Sequence, residues 1–122
     1  MQLNHLDLSV PDVAAASAFL CRHFGFTLLQ AKGNYGMAVL AGDGGVVLVL
    51  TRHEEPSYPK TFHIGFLVDD ASTVFAKHAE LEAAGVSGLS PVQELRGAPG
   101  FYCRTDWGIL LEVANRTPLQ AG

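Results

Sequence analysis

Hydrophobic and polar positions alternate from the start of the chain. In "NHLDLSV", residues 4–10, Leu6, Leu8 and Val10 hold one parity while His5, Asp7 and Ser9 hold the other. A strand with one face on an apolar layer shows this period of two. Pro11-Asp12 then breaks the strand and offers a helix N-cap. The stretch 13–23 is rich in Ala with Val13, Phe19 and Leu20, so it reads as a helix stopped by Gly25. Strand-like runs follow at 26–30, 35–40 and 46–50, separated by the turn residues Lys32-Gly33-Asn34 and Gly42-Asp43-Gly44-Gly45.

The plan then repeats. "RHEEPSYPK", residues 52–60, is polar, holds two prolines and reads as a linker. A strand at 62–68, an Asp69-Asp70 cap, and a helix over 71–84 closed by Gly85 come next. One weak strand interrupted by Pro91 is expected within 86–95, then a hairpin of 100–104 and 109–113 around Thr105-Asp106-Trp107-Gly108. His5, Val10 and Asp12 map onto His63, Val68 and Asp70 at a shift of 58. Asp43 and Gly45 map onto Asp106 and Gly108 at a shift of 63. Two copies are too few for a solenoid. The expected fold is α+β: two βαβββ modules forming a curved, mostly antiparallel, cup-shaped sheet with helices on the outer face. Module one covers about 1–51 and module two about 61–114, in a single domain 1–122.

Facing then selects candidate chemistry. With Leu6, Leu8 and Val10 under the helix, His5, Asp7 and Ser9 point into the concavity. The second module puts His63 there by the same parity. In the last strand Ile109, Leu111 and Val113 take the helix side, which leaves Glu112 inward. A lone inward carboxylate is costly unless a metal or an Arg compensates it. Two His and one carboxylate suit a divalent ion such as Fe, Mn, Zn or Ni and leave coordination positions open. His78 falls on the apolar stripe of the second helix, as a structural histidine does, whereas His23 and His53 are expected in solvent.

Composition narrows the partners. Charged residues are 16% and hydrophobic ones 48% of 122 residues, enough for one packed core. Eight Lys and Arg against twelve Asp and Glu give a net charge of −4, which argues against nucleic acid and anionic membrane surfaces. The N-terminus lacks the features of a signal peptide, and no apolar run reaches membrane-spanning length. Cys21 and Cys103 are expected as buried, reduced thiols. A soluble, cytoplasmic protein is the expectation.

Taken together, "NHLDLSVPDVAAASAFLCRHFGF", "FHIGFLVDD", "ELEAAGV" and "FYCRTDWGILLEV" resemble the vicinal oxygen chelate superfamily of glyoxalases, extradiol dioxygenases, fosfomycin-resistance transferases and bleomycin-binding proteins. The resemblance covers residues 3–113. It implies metal ligands at His5, His63 and Glu112, and its fourth ligand position falls on Val49, which cannot coordinate. Glyoxalase I chemistry is therefore put in doubt, while three-ligand relatives keep this pattern. Tyr102, ten residues before Glu112, resembles an active-site tyrosine of the fosfomycin group. Asp7 replaces that group's usual threonine and would repel a phosphonate. The hairpin loop leaves the facing of Tyr102 open by one residue. Arg104 is a candidate partner for an anionic substrate or for Glu112. Trp107 fits either a loop aromatic over the cup mouth or ordinary packing.

The resulting expectation is a metal-dependent dioxygenase-like or lyase/isomerase-like enzyme. It would act on a small oxygen-bearing organic molecule, with Tyr102 catalytic and Asp7, Arg104 and Trp107 binding substrate. The alternative is a metal-free drug- or small-molecule-sequestering protein of the bleomycin-resistance kind. By resemblance a homodimer is expected, with His5 from one chain and His63 and Glu112 from the other if modules exchange.

Overall fold

The computed structural model describes residues 1–116 of the chain. Contacts divide the chain into two compact units, Met1–Tyr58 and the remainder from Pro59. In unit 1 the order is β1 (His5–Val10), α1 (Val13–Phe24), β2 (Thr27–Lys32), β3 (Met37–Ala41) and β4 (Val47–Arg52). The sheet runs β1-β4-β3-β2, with β1 parallel to β4 and the other pairs antiparallel. Alternation in β1 works as expected: Leu8 and Val10 are fully buried and His5 and Asp7 are exposed. Val13, Ala16 and Leu20 of α1 close this core with Leu40, Leu48 and Leu50, and each buried Leu contributes about 1.5–3 kcal/mol. Asp12 caps α1 by accepting from the Ala15 N–H at 2.9 Å. Gly25 ends it in the left-handed region, its N–H donating to the Leu20 carbonyl.

Unit 2 repeats the topology with β5 (His63–Val68), α2 (Ala71–Ala83), β6 (Gln93–Leu95), β7 (Ala98–Arg104) and β8 (Leu110–Asn115). Its sheet runs β5-β8-β7-β6, and β5 is parallel to β8. Val74 and Leu81 of α2 are buried, as are Phe101, Cys103, Ile109, Leu111 and Val113 of the sheet side. Both units are thus βαβββ modules of mixed four-stranded sheets, as the repeat implies. Among the described residues no helix is long and apolar enough to cross a membrane.

Several local expectations shift. Strands β2, β3 and β4 of unit 1 begin one or two residues later than their apolar runs. Tyr35 looks strand-like by propensity, but Asn34 and Tyr35 have φ of 54° and 61° and belong to a turn closed by Gly36 N–H on the Lys32 carbonyl. The weak strand within 86–95 shrinks to β6, with only an isolated bridge from Leu89 to Cys103. Asp70 occupies the N-cap of α2, but its side chain makes no capping bond. His23 is not solvated: it is 7% exposed and stands edge-on to Phe19, with ring centroids 5.1 Å apart. The residues after β4 are not a free linker, because Tyr58 Oη accepts from Ser9 N–H at 2.8 Å and donates to the Ser9 carbonyl at 3.0 Å. His78 is structural, bonded through Nε2 to the Ser90 carbonyl and packed edge-on against Phe101. Both cysteines are free thiols.

Candidate functional site

Register decides which side chains of unit 2 share a face. Parallel pairing sets His63 beside Leu110 and Gly65 beside Glu112. Antiparallel pairing sets Tyr102 opposite Glu112 and Arg104 opposite Leu110. Cross-strand partners point to the same side. One face therefore carries His63, Tyr102, Arg104 and Glu112, and Phe101, Cys103, Leu111 and Val113 take the other side, with α2. The facing of Tyr102, open in the sequence, is toward Glu112.

At the centre is a buried carboxylate with one oxygen bonded and one not. Glu112 is 3% exposed. Its Oε2 accepts from Arg96 Nη2 at 2.9 Å. Its Oε1 is buried and has no hydrogen-bond partner, and it lies 3.9 Å from His63 Nε2. His63 Nδ1 is 2.9 Å from the Thr61 carbonyl oxygen. A carbonyl only accepts, so Nδ1 carries the proton, and in the neutral ring Nε2 presents a lone pair. In that neutral tautomer two electron-pair donors face each other across 3.9 Å, an arrangement a cation would complete. A Cβ on Gly65 would lie 3.6 Å from Glu112 Oε2, an ordinary contact. Within each unit, among the described residues, no three His, Cys, Asp or Glu side chains gather to hold an ion; unit 2 supplies this pair.

Two neighbours tune the carboxylate. The Tyr102 ring stands edge-on to His63 at 5.9 Å between centroids. Its phenol is held above the ordinary tyrosine value, first by the adjacent Glu112 carboxylate and then by partial burial, against the opposing charge of Arg96. Tyr102 is therefore a neutral donor at physiological pH. The Arg96 guanidinium is pushed up in turn by its bond to Glu112. Arg96, rather than Arg104, is the arginine that reaches the carboxylate. It was missed in the sequence because 86–95 reads as one broken strand, which hides the β6–β7 hairpin and the turn Arg96-Gly97 at its tip.

Unit 1 has the same backbone frame with different chemistry. His5 pairs with Val47 and Asp7 with Val49, and Val49 in turn faces Val39. Valines thus stand where unit 2 has Glu112 and Tyr102, and His5 corresponds to His63. Asp7 Oδ1 accepts from Thr51 Oγ1 at 2.9 Å. Trp107 is 4% exposed, in a turn pinned by Thr105 Oγ1 donating to the Ile109 carbonyl at 2.7 Å.

A family model described as the Glyoxalase/Bleomycin resistance protein/Dioxygenase superfamily matches residues 2–113. Among solved structures, a possible glyoxalase from Bacillus cereus is 35% identical with a TM-score of 0.84, covering 93% of this chain and 98% of that one. A genomically encoded fosfomycin resistance protein from Listeria monocytogenes, complexed with Mn(II) and sulfate, is 19% identical with a TM-score of 0.77 over 95% of this chain and 90% of its own. A lactoylglutathione lyase from Agrobacterium tumefaciens is 20% identical with a TM-score of 0.74, covering 93% and 92%. Among curated proteins no sequence matches the chain.

Proposed function

The chain belongs to the Glyoxalase/Bleomycin resistance protein/Dioxygenase superfamily, and from that premise we propose that it is a metal-dependent enzyme acting on a small oxygen-bearing organic substrate. One observation carries this reading: the lone pair of His63 Nε2 faces the unbonded Glu112 Oε1 at 3.9 Å. His63 and Glu112 are two ligands, and His5 is the third by its repeat relation to His63. The donor set of two imidazoles and one carboxylate fits Fe, Mn, Zn or Ni. The Listeria relative's complex with Mn(II) supports a divalent ion.

When bound, the ion supplies Lewis-acid polarisation of substrate oxygens. The remaining work belongs to the chain's own groups. The Thr61 carbonyl holds His63 in the tautomer that leaves Nε2 available. Tyr102 keeps its proton and donates a hydrogen bond to a substrate oxygen where negative charge develops. Arg104 on the same face and Asp7 in unit 1 select the substrate, whereas Trp107, 4% exposed, packs in the following turn. A homodimer in the cytoplasm is the assembly and compartment that accompany this reading.

A second reading is a metal-free small-molecule-sequestering protein. The observation favouring it is that Arg96 already compensates Glu112. Metal titration by calorimetry on EDTA-stripped, untagged protein separates the two. The metalloenzyme reading expects one ion per site, with binding abolished in His5→Ala, His63→Ala and Glu112→Ala. If none of Fe(II), Mn(II), Zn(II) and Ni(II) binds stoichiometrically, the reading is wrong; if all variants bind like the parent, the ligand assignment is wrong.

A further inference from the structure

The β6–β7 hairpin turns on two residues, Arg96 and Gly97, with φ of 54° and 84°. Two positive φ values in a two-residue turn describe the type I′ class, where Asn or Gly is usual at the first place. An arginine there departs from the local rule, and such departures concentrate at functional positions. The exposed turn tip has no packing need for a long side chain. Its side chain, 58% exposed, nevertheless reaches back across the sheet to a glutamate side chain that is only 5% exposed.

Resting on the metal-site reading above, we propose that Arg96 is the resident counter-cation of Glu112, which a divalent ion must displace or weaken in order to bind. The Glu112 carboxylate is one negative charge with two claimants: Oε2 serves the guanidinium at 2.9 Å, and Oε1 faces His63. An ion held by Glu112 and His63 would withdraw charge from Oε2 and add positive charge beside a guanidinium that water screens only in part. Binding of the ion and pairing of Arg96 are therefore antagonistic, and by linkage the antagonism is reciprocal. The metal-free chain is spared an uncompensated buried charge, and the ion binds more weakly than the ligands alone allow. A supporting role is the rival: an arginine that merely orients Glu112 as a ligand would strengthen ion binding. The two differ in sign.

The test is calorimetric titration of Mn(II) and Zn(II) into EDTA-stripped parent, Arg96→Gln and Arg96→Lys. Zn(II) is also titrated into parent labelled with nitrogen-15, following the Arg96 Nε–Hε resonance. Site-to-site coupling is typically about 5–150-fold, so R96Q is expected to bind about tenfold tighter, with R96K between it and parent. The Arg96 resonance moves toward solvent-exposed arginine values as Zn(II) saturates. Binding to R96Q but not to parent supports the proposal in its strongest form. Equal or weaker binding to R96Q, with an unmoved Arg96 resonance, overturns the proposal and leaves the metalloenzyme reading standing. Absence of binding to all three chains overturns both. Circular dichroism melts of the three stripped chains verify that each is folded.

Discussion

Replacing Glu112 by Gln reverses sign with metal. In the stripped chain, Oε1 is buried without a partner, and such a group costs about 1–3 kcal/mol. Glutamine keeps the oxygen that Arg96 Nη2 bonds and puts an N–H2 where Oε1 stood. That amide can donate to the lone pair on His63 Nε2 once the 3.9 Å separation closes by less than 1 Å, adding about 1 kcal/mol. Against this stands the lost charge on the Arg96 pair. Because the Arg96 side chain is 58% exposed, water screens that loss, which stays smaller than the gain. The net expectation is that E112Q is more stable than parent by about 1 kcal/mol in EDTA, or roughly 4–8 °C in Tm for a unit of this size. With metal at about 100 times its Kd, parent gains about 2.7 kcal/mol and E112Q gains nothing, so the order inverts. Urea unfolding followed by Trp107 fluorescence and far-ultraviolet dichroism, with and without Mn(II), reads both halves. E112Q less stable than parent in EDTA would refute the reasoning, because Oε1 would then be satisfied in the metal-free chain.

Other expectations are more local. Asp12→Ala should cost about 1 kcal/mol in urea unfolding because its cap bond to Ala15 is lost. Asp70→Ala should cost less than about half that, since its carboxylate makes no such bond. Gly100→Val should destabilise by about 1–3 kcal/mol, because a Cβ there meets Leu95 Cδ1 at 2.7 Å and Ala114 Cβ at 3.0 Å. Gly65→Ala, with ordinary contacts only, should leave the melting curve near that of parent. Burial, with a smaller contribution from Asp106, pushes the Cys103 thiol above its ordinary 9.0. The folded chain thus holds that proton more tightly than the unfolded one. The stability it confers is complete below about pH 9 and is lost as pH rises through the folded value, so Cys103→Ala should flatten that part of a stability–pH curve. At pH 8, a disulfide reagent should modify half-buried Cys21 before Cys103.

The repeat was legible because it is written in local signals. Period-two alternation, the Asp12 cap and the Gly25 stop need only neighbours along the chain, so βαβββ topology follows from them. The parity of β1, β5 and β8 likewise put His5, His63 and Glu112 on polar faces before any coordinates. Local signals mislead where backbone conformation overrides propensity, as at Tyr35 in a left-handed turn, and where burial comes from a neighbour four residues away, as at His23 against Phe19.

Only tertiary structure decided the rest. Residue identity does not state hairpin register, and one residue of slip reverses the face of Tyr102; pairing with Glu112 settled it. The Thr61 carbonyl that selects the His63 tautomer is a backbone group, and sequence carries no mark of it. Arg96 lies sixteen residues from Glu112, and folding of a two-residue turn brings them to 2.9 Å. By itself the sequence determined that a carboxylate would be buried on β8. Which cation neutralises it depends on distance through space, and that is a property of the folded chain.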